Sequence, residues 1–254
     1  FFHIKLFWVL NLFAKCNNNY LFEKMGIRIN KFLGKYGYTS RREADRLIMD
    51  GRVTVNNEVI QPGYKVNEND VVKLDGEKVK TNLKKNVYLA FNKPKGIVCT
   101  TDTEKEENNI IDYINYNKRI FPIGRLDKLS EGLILLTNDG EIVNKILRSR
   151  FKHEKEYLVT LNNKLTKDFL KKMENGVPIL NTTTRKCKTT YINEFQFKIV
   201  LTQGLNRQIR RMCEHFEYRV KKLERIRIIN IKLDIPRGKW RYLTVDEVKF
   251  LKKL

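Results

Sequence analysis

The first helical repeat of apolar positions is Ile29, Phe32, Leu33 and Tyr36, spaced i, i+3, i+4, i+7. That spacing predicts one amphipathic helix. Gly37 follows as a C-cap. Ser40-Arg41-Arg42-Glu43 carries the S-x-x-E pattern of a capping box and opens a second helix, with Ala44, Leu47 and Ile48 turned inward and Gly51 closing it. Arg41, Arg42 and Arg46 fall off that apolar stripe and are expected in solvent. Val53-Thr54-Val55 alternates as a short strand, Asn56-Asn57 and Pro62-Gly63 read as turns, and residues 71–74 read as a second strand. The polar stretch 75–86 reads as a linker, with a domain boundary near residue 85.

Beyond it, residues 88–92 form an apolar strand. Lys93-Pro94-Lys95-Gly96 breaks it and residues 97–100 resume it, which predicts a hairpin whose two turn lysines face a phosphate or water. An acidic loop (102–109) and a short helix near 112–117 follow. Pro122 and Gly124 set a bend that carries Arg125 and Asp127, and the continuous apolar run Leu133 to Leu136 predicts a buried strand. A tight turn at 138–140 leads to a helix from about 141 to 149, then a strand with Tyr157, Val159 and Leu161 on one face. Thr166 caps a helix carrying Phe169, Leu170 and Met173. A strand near 195–202 precedes a helix with Ile209, Met212, Cys213 and Phe216 inward. Arg207 and Arg211 lie off that stripe, and Arg210 flanks it, free to turn inward. Strands near 226–233 and 236–243 and a helix capped by Thr244 complete the chain.

Composition adds a partner class. With 51 Lys+Arg against 29 Asp+Glu the formal net charge is +22, which points to a polyanion, RNA or DNA first. Lysine and asparagine are abundant throughout, so part of that charge reflects composition drift. The placement of the arginines is the more specific signal. Four widely spaced cysteines and three histidines show neither a C-x-x-C pair nor a metal-ligand spacing. No apolar run reaches the roughly 18 residues of a spanning helix. Residues 1–24 are aromatic-rich but interrupted by Lys5, and lack a small-residue cleavage site. We read Met25 as the start of the protein and 1–25 as an extension outside the fold, with an interfacial anchor as the alternative.

Taken alone, Arg125 and Asp127 read as an ordinary ion pair at a strand end. The surrounding motifs change that reading. The segment from Arg28 through Ser40-Arg41-Arg42-Glu43-Ala44 to Gly51-Arg52-Val53-Thr54-Val55-Asn56 resembles the S4 RNA-binding domain. Gly124-Arg125-Leu126-Asp127 with Ser130-Glu131-Gly132-Leu133 resembles the catalytic motif of S4-linked ribosomal pseudouridine synthases. Asn92 to Gly96, Lys155-Glu156-Tyr157, and Gln203-Gly204 with Asn206 to Met212 resemble that family's other motifs. Departures are mild: Ser130 stands where Thr is commoner and Ile134 where Leu is. The runs Met212 to Phe216 and Val220 to Arg225 are most similar to the large-subunit synthases of the family.

The resemblance implies an α+β protein with an S4 domain at 26–80, a linker at 81–86, and a mixed, mostly antiparallel-sheet catalytic domain at 87–254. It implies isomerisation of uridine in ribosomal RNA, large-subunit RNA first, with small-subunit RNA or tRNA as alternatives. A non-catalytic RNA-binding assembly factor is the alternative from another class. Asp127 is expected to be the catalytic carboxylate, Tyr157 to stack on the target base, and Arg210 to be the basic partner. Arg125 is expected to replace the extruded base. Lys93, Lys95, Arg207 and Arg211, with Lys31, Arg41, Arg42, Arg46 and Arg52, are expected to contact RNA. No cofactor, metal or membrane is implied, and a cytoplasmic monomer is expected.

Overall fold

The computed structural model describes residues 26–81, 85–147 and 152–254. The readings of 1–25, of linker residues 82–84 and of the helix end at 148–149 lie outside them. Two compact units meet in sequence between Lys85 and Asn86.

In the first unit, β1 (Ile27–Arg28) leads into α1 (Ile29–Lys35), and α2 spans Arg41–Met49. Both helices end in the same device. After α1, Gly37 at φ +78° lets the Tyr38 N–H reach the Leu33 carbonyl at 3.1 Å, while the Gly37 N–H meets Gly34. After α2, Gly51 does the same for Arg52 and Leu47 at 3.0 Å. These are Schellman closures, which satisfy carbonyls the helix leaves open. The Ser40 side chain accepts the Glu43 N–H at 3.1 Å. The expected reciprocal half of the capping box is not made, because the Glu43 carboxylate pairs with Arg46 at 3.0 Å instead.

Short strands complete this unit: β2 (Val53–Val55), β3 (Glu58–Val59), β4 (Lys65–Val66), β5 (Val72–Leu74) and β6 (Glu77–Lys78). They form a sheet ordered β3-β2-β5-β6, while β1 pairs with β4. The polar run expected as pure linker therefore contains β6, which folds back on β5 through the Asp75-Gly76 turn, both residues at positive φ. Ile29, Leu33, Ala44, Ile48, Val53 and Val72 form its core.

The second unit is built on one sheet ordered β13-β14-β10-β15-β9-β7-β17, with β16 on β15 and β8 on β9. Its strands are β7 (Tyr88–Lys93), β8 (Phe121–Ile123), β9 (Glu131–Thr137), β10 (Lys155–Leu161), β13 (Lys188–Asn193), β14 (Gln196–Leu201), β15 (Val220–Ile228), β16 (Ile231–Lys232) and β17 (Trp240–Tyr242). A separate pair, β11 (Pro178–Ile179) and β12 (Thr182–Thr183), forms its own ribbon. Among the described strands of this sheet only β15 and β9 run parallel. Among the described residues five helices cover the sheet: α3 (Ile110–Ile114), α4 (Gly140–Leu147), α5 (Lys167–Glu174), α6 (Gln208–His215) and α7 (Val245–Lys253).

β7 and β9 are buried on both faces. Leu89, Phe91, Ile134 and Leu136 pack under α3, and Ala90, Leu133 and Leu135 pack against Ile142, Ile146 and Leu251 of α4 and α7. Double burial is why β9 reads as an unbroken apolar run. The third core lies on β10 and β14 beneath Phe169 and Met173 of α5 and Ile209 and Met212 of α6.

Residues 97–100 do not form the expected hairpin with β7. Both edges of β7 are already taken, by β9 and β17. The segment instead crosses the sheet face, burying Ile97 and Cys99 and making one bridge from Val98 to Asn109.

Candidate active site

One row of residues across four adjacent strands defines the site. Lys93 of β7 lies opposite Gly132 of β9, Gly132 opposite Arg225 of β15, and Arg225 opposite Tyr157 of β10. The row thus reads cation, gap, cation, aromatic ring. Side chains of cross-strand partners share a face. Tyr157 is half-buried and packs against two of the cores. The Arg225 guanidinium lies 6.0 Å from the centroid of its ring, at the outer limit of a cation–π contact.

The loop carrying Asp127 is pinned from several sides. The Gly96 N–H bonds the Lys128 carbonyl at 2.8 Å and the Ser130 N–H bonds the Asp127 carbonyl at 3.0 Å. The Leu126 N–H meets the Cys99 sulfur at 3.4 Å, and Leu126 is buried under the same face. Arg210 of α6 turns inward to 7% exposure. It donates to the Leu129 carbonyl at 3.1 Å and to the Val220 carbonyl at 3.0 Å. One side chain thereby ties the Asp127 loop to the start of β15.

Asp127 itself is half-buried, and among the described residues its carboxylate makes no hydrogen bond and no ion pair within 4.0 Å. The simple strand-end ion pair with Arg125 is not formed, and Arg125 is exposed. Asp127 instead lies within electrostatic reach of two buried cations. Burial, with Arg207 adding to it, pushes the Arg210 guanidinium below its ordinary value, and the Asp127 charge offsets part of that. Burial likewise pushes the Lys93 ammonium down, with Arg225 adding to it, while Cys99, Glu131 and Asp127 pull it back. A half-buried carboxylate without a hydrogen-bond partner among the described residues, within electrostatic reach of buried positive charge, marks a candidate functional group.

Lys93 corrects an expectation. It does not face RNA or water: it is fully buried and donates to the carbonyls of Pro94 and Ile97 at 2.9 and 2.8 Å. The turn folds its backbone over the ammonium, which replaces water around it. Lys95, two residues on, is exposed. Arg207 is exposed at the start of α6 in a left-handed conformation, φ +50°. Arg211 is half-buried and bonds Asn206 through its backbone and side-chain oxygens at 3.1 and 3.3 Å. In the first unit Arg41, Arg42 and Arg46 are exposed and Lys31 is half-buried. Arg52 is exposed but clamped on Asp75 by two bonds of 2.7 and 2.8 Å.

Arg225 is the site residue that sequence reasoning missed. It is 3% exposed and its Nε donates to the Leu133 carbonyl. The available signal was parity: Arg225 stands two residues after buried Leu223 on one strand, and so on the inward face. Among the described residues, atoms of four buried side chains lack a hydrogen-bond partner: Asn92, Ser130, Arg210 and Arg225. All four lie on the Asp127 loop or on elements that contact it or pair with β9. Among the described residues no cluster of three His, Cys, Asp or Glu could hold a metal ion. Cys99, Cys187 and Cys213 are free thiols.

An arginine-bearing helical module followed by a sheet unit that holds an aspartate within electrostatic reach of two buried cations has the features of an RNA-modifying enzyme. The S4 domain family matches residues 27–72, and the RNA pseudouridylate synthase family matches residues 87–215. The chain belongs to the RNA pseudouridylate synthase family and is a pseudouridine synthase with an N-terminal S4 domain. It is 54% identical over 230 residues to the dual-specificity RNA pseudouridine synthase RluF of Escherichia coli, covering 90% of this chain and 79% of that one. It is 34% identical over 236 residues to the ribosomal large subunit pseudouridine synthase B of Bacillus subtilis, covering 89% and 96%. A solved pseudouridylate synthase superposes with a TM-score of 0.66 at 26% identity, covering 89% of this chain and 99% of that one. Among the described residues no helix is long and apolar enough to cross a membrane.

Proposed function

We propose that the chain isomerises uridine in large-subunit ribosomal RNA, with Asp127, Tyr157 and Arg210 as its reacting and positioning groups. The observation that carries the substrate is the 54% identity with a dual-specificity synthase together with similarity to a large-subunit synthase. The printed dual specificity of the first relative favours a second reading, in which a small-subunit RNA or a tRNA is modified as well. The setting of this work is the cytoplasm, where ribosomal RNA is found.

In the reaction the C1′–N1 bond of a uridine breaks, the base rotates, and a C1′–C5 bond forms. The proton lost from C5 is balanced by one gained at N1. The base is isomerised with no net change of oxidation state, so no redox partner is needed and the chain supplies a reacting carboxylate, proton transfer and positioning. Asp127, whose carboxylate has no hydrogen bond or ion pair among the described residues, is the group that acts on the sugar or the base. Tyr157 offers a half-buried ring for the flipped uracil, backed by Arg225. Arg210 holds the Asp127 loop by its Leu129 carbonyl and adds positive potential. Arg125, exposed beside Asp127, fills the gap left by the extruded base. Flipping costs on the order of a few kcal/mol. Phosphate contacts from Arg41, Arg42, Arg46, Lys31, Lys95 and Arg207 offset it.

The test is pseudouridine mapping. The protein is incubated with unmodified large-subunit RNA, small-subunit RNA and tRNA, and carbodiimide-dependent reverse-transcription stops are read. A new stop in large-subunit RNA is expected. Stops confined to small-subunit RNA or tRNA contradict the substrate assignment.

A further inference from the structure

The outer edge of the catalytic sheet carries an aromatic corner that the site above does not use. Trp240 and Tyr242 stand on β17, 36% and 56% exposed, with Tyr116 just beyond α3. The three rings hold one another edge to face: Tyr116 to Trp240 at 5.7 Å and 82°, Trp240 to Tyr242 at 5.5 Å and 87°, Tyr116 to Tyr242 at 6.5 Å and 77°. The Tyr116 and Tyr242 hydroxyls lie 3.1 Å apart, in hydrogen-bond contact. The corner is ordered without being buried. With Asn115, Asn117 and Lys118 it lines an open groove of about 410 Å³.

An edge strand with exposed aromatics is a liability unless something covers it. The chemistry of the lining identifies the cover. Aromatic rings stack on bases of any sequence. Two side-chain amides offer donors and acceptors to base edges, and exposed Lys118 gives the groove positive charge for a phosphate. Register places the corner relative to the reacting centre. Trp240 lies opposite Phe91 and Tyr242 opposite Leu89, so both rings share the face on which Leu126 and Tyr157 pack. Between Tyr157 on β10 and Trp240 on β17 the sheet order inserts β15, β9 and β7. Four strand spacings make that about 19 Å, within reach of nucleotides flanking a bound uridine. The opposite face of β17 is closed by Arg241, which is bound to Asp234 and Glu247.

We infer that Tyr116, Trp240 and Tyr242 form an accessory site for an unpaired nucleobase of the substrate RNA, flanking the uridine that is modified. The inference rests on the RNA-substrate reading. It is tested with the full chain carrying Trp8→Phe, which leaves Trp240 as the sole tryptophan of the two in the sequence. The probe is a fluorescein-labelled single-stranded uridine-rich RNA of about twelve nucleotides, within the usual span of such sites. A second RNA of the same length carries abasic residues. The intact RNA is expected to quench Trp240 emission and the abasic RNA is not. Tyr242→Ala, in a protein whose thermal unfolding is unchanged, is expected to weaken binding roughly ten-fold. Binding with unchanged emission and unchanged affinity in Tyr242→Ala overturns the site alone and leaves the corner to a protein partner. Failure to bind any RNA overturns the substrate reading with it.

Discussion

Gly132 lies so close to the backbone of Arg225 that a Cβ there would overlap the Arg225 carbonyl oxygen and stand 2.7 Å from its nitrogen, at φ +99°. The missing side chain of the motif glycine thus lets β15 approach β9 at the Gly132–Arg225 pair, and the same register sets Arg225 opposite Tyr157. Gly132→Ala is expected to cost about 3 kcal/mol or more, since strain at positive φ adds to a backbone clash. In a unit of this size that lowers Tm by roughly 6–12 °C. Calorimetry of the full chain checks it. An unchanged Tm would mean the two strands part without cost.

Arg41 and Arg42 are exposed, and neither has a hydrogen bond or ion pair among the described residues, whereas Arg52 is held by Asp75. Arg41→Gln and Arg42→Gln are each expected to reduce the slope of log affinity against log salt by about one. Arg52→Gln is expected to change that slope less and to loosen the first unit, because it removes the clamp on the Asp75-Gly76 turn. Filter binding over a salt series, with melting curves for each variant, separates the two behaviours.

How much of this was visible in the sequence depended on what each residue buries. Leu133 to Leu136 was legible because burial on both faces leaves an unbroken apolar run, and the Ile209, Met212, Cys213 stripe because one-sided burial of a helix leaves a period. β13 was not, because Lys188-Thr189-Thr190-Tyr191 is a mostly exposed edge strand with little apolar contrast. The 97–100 segment looked like a strand, but no free edge of β7 was left to pair with it. Asp127, Tyr157 and Arg210 were singled out through motif resemblance, and the inward turn of Arg210 was legible through its place beside the stripe. Buried Lys93 and Arg225 were opaque. A buried cation reads as a surface one until the carbonyls that receive it are known.

Arg241 binds Glu247 and Asp234 together, joining β17, α7 and the chain between β16 and β17. The Arg241 guanidinium holds the Glu247 carboxyl below its ordinary 4.5 and that of Asp234 below its ordinary 3.8. A carboxylate with a depressed folded pKa contributes stability that is present above its unfolded value and lost as pH falls through the folded one. The Tm of the chain is therefore expected to fall between about pH 5 and about pH 3. Arg241→Met should lower Tm at neutral pH and flatten that acid loss. An identical acid slope in the variant would place the titrating groups elsewhere.

The most direct test of the central claim is Asp127→Asn, measured for both modification and RNA affinity on the same RNA. The carboxylate is half-buried and has no hydrogen bond or ion pair among the described residues, so the amide fits without breaking one. Loss of all pseudouridine stops is expected, with an unchanged Tm and RNA binding that keeps its affinity and salt slope. Modification at the intact rate would contradict the assignment of Asp127 as the reacting group. Equal loss of binding and modification would make Asp127 a structural residue.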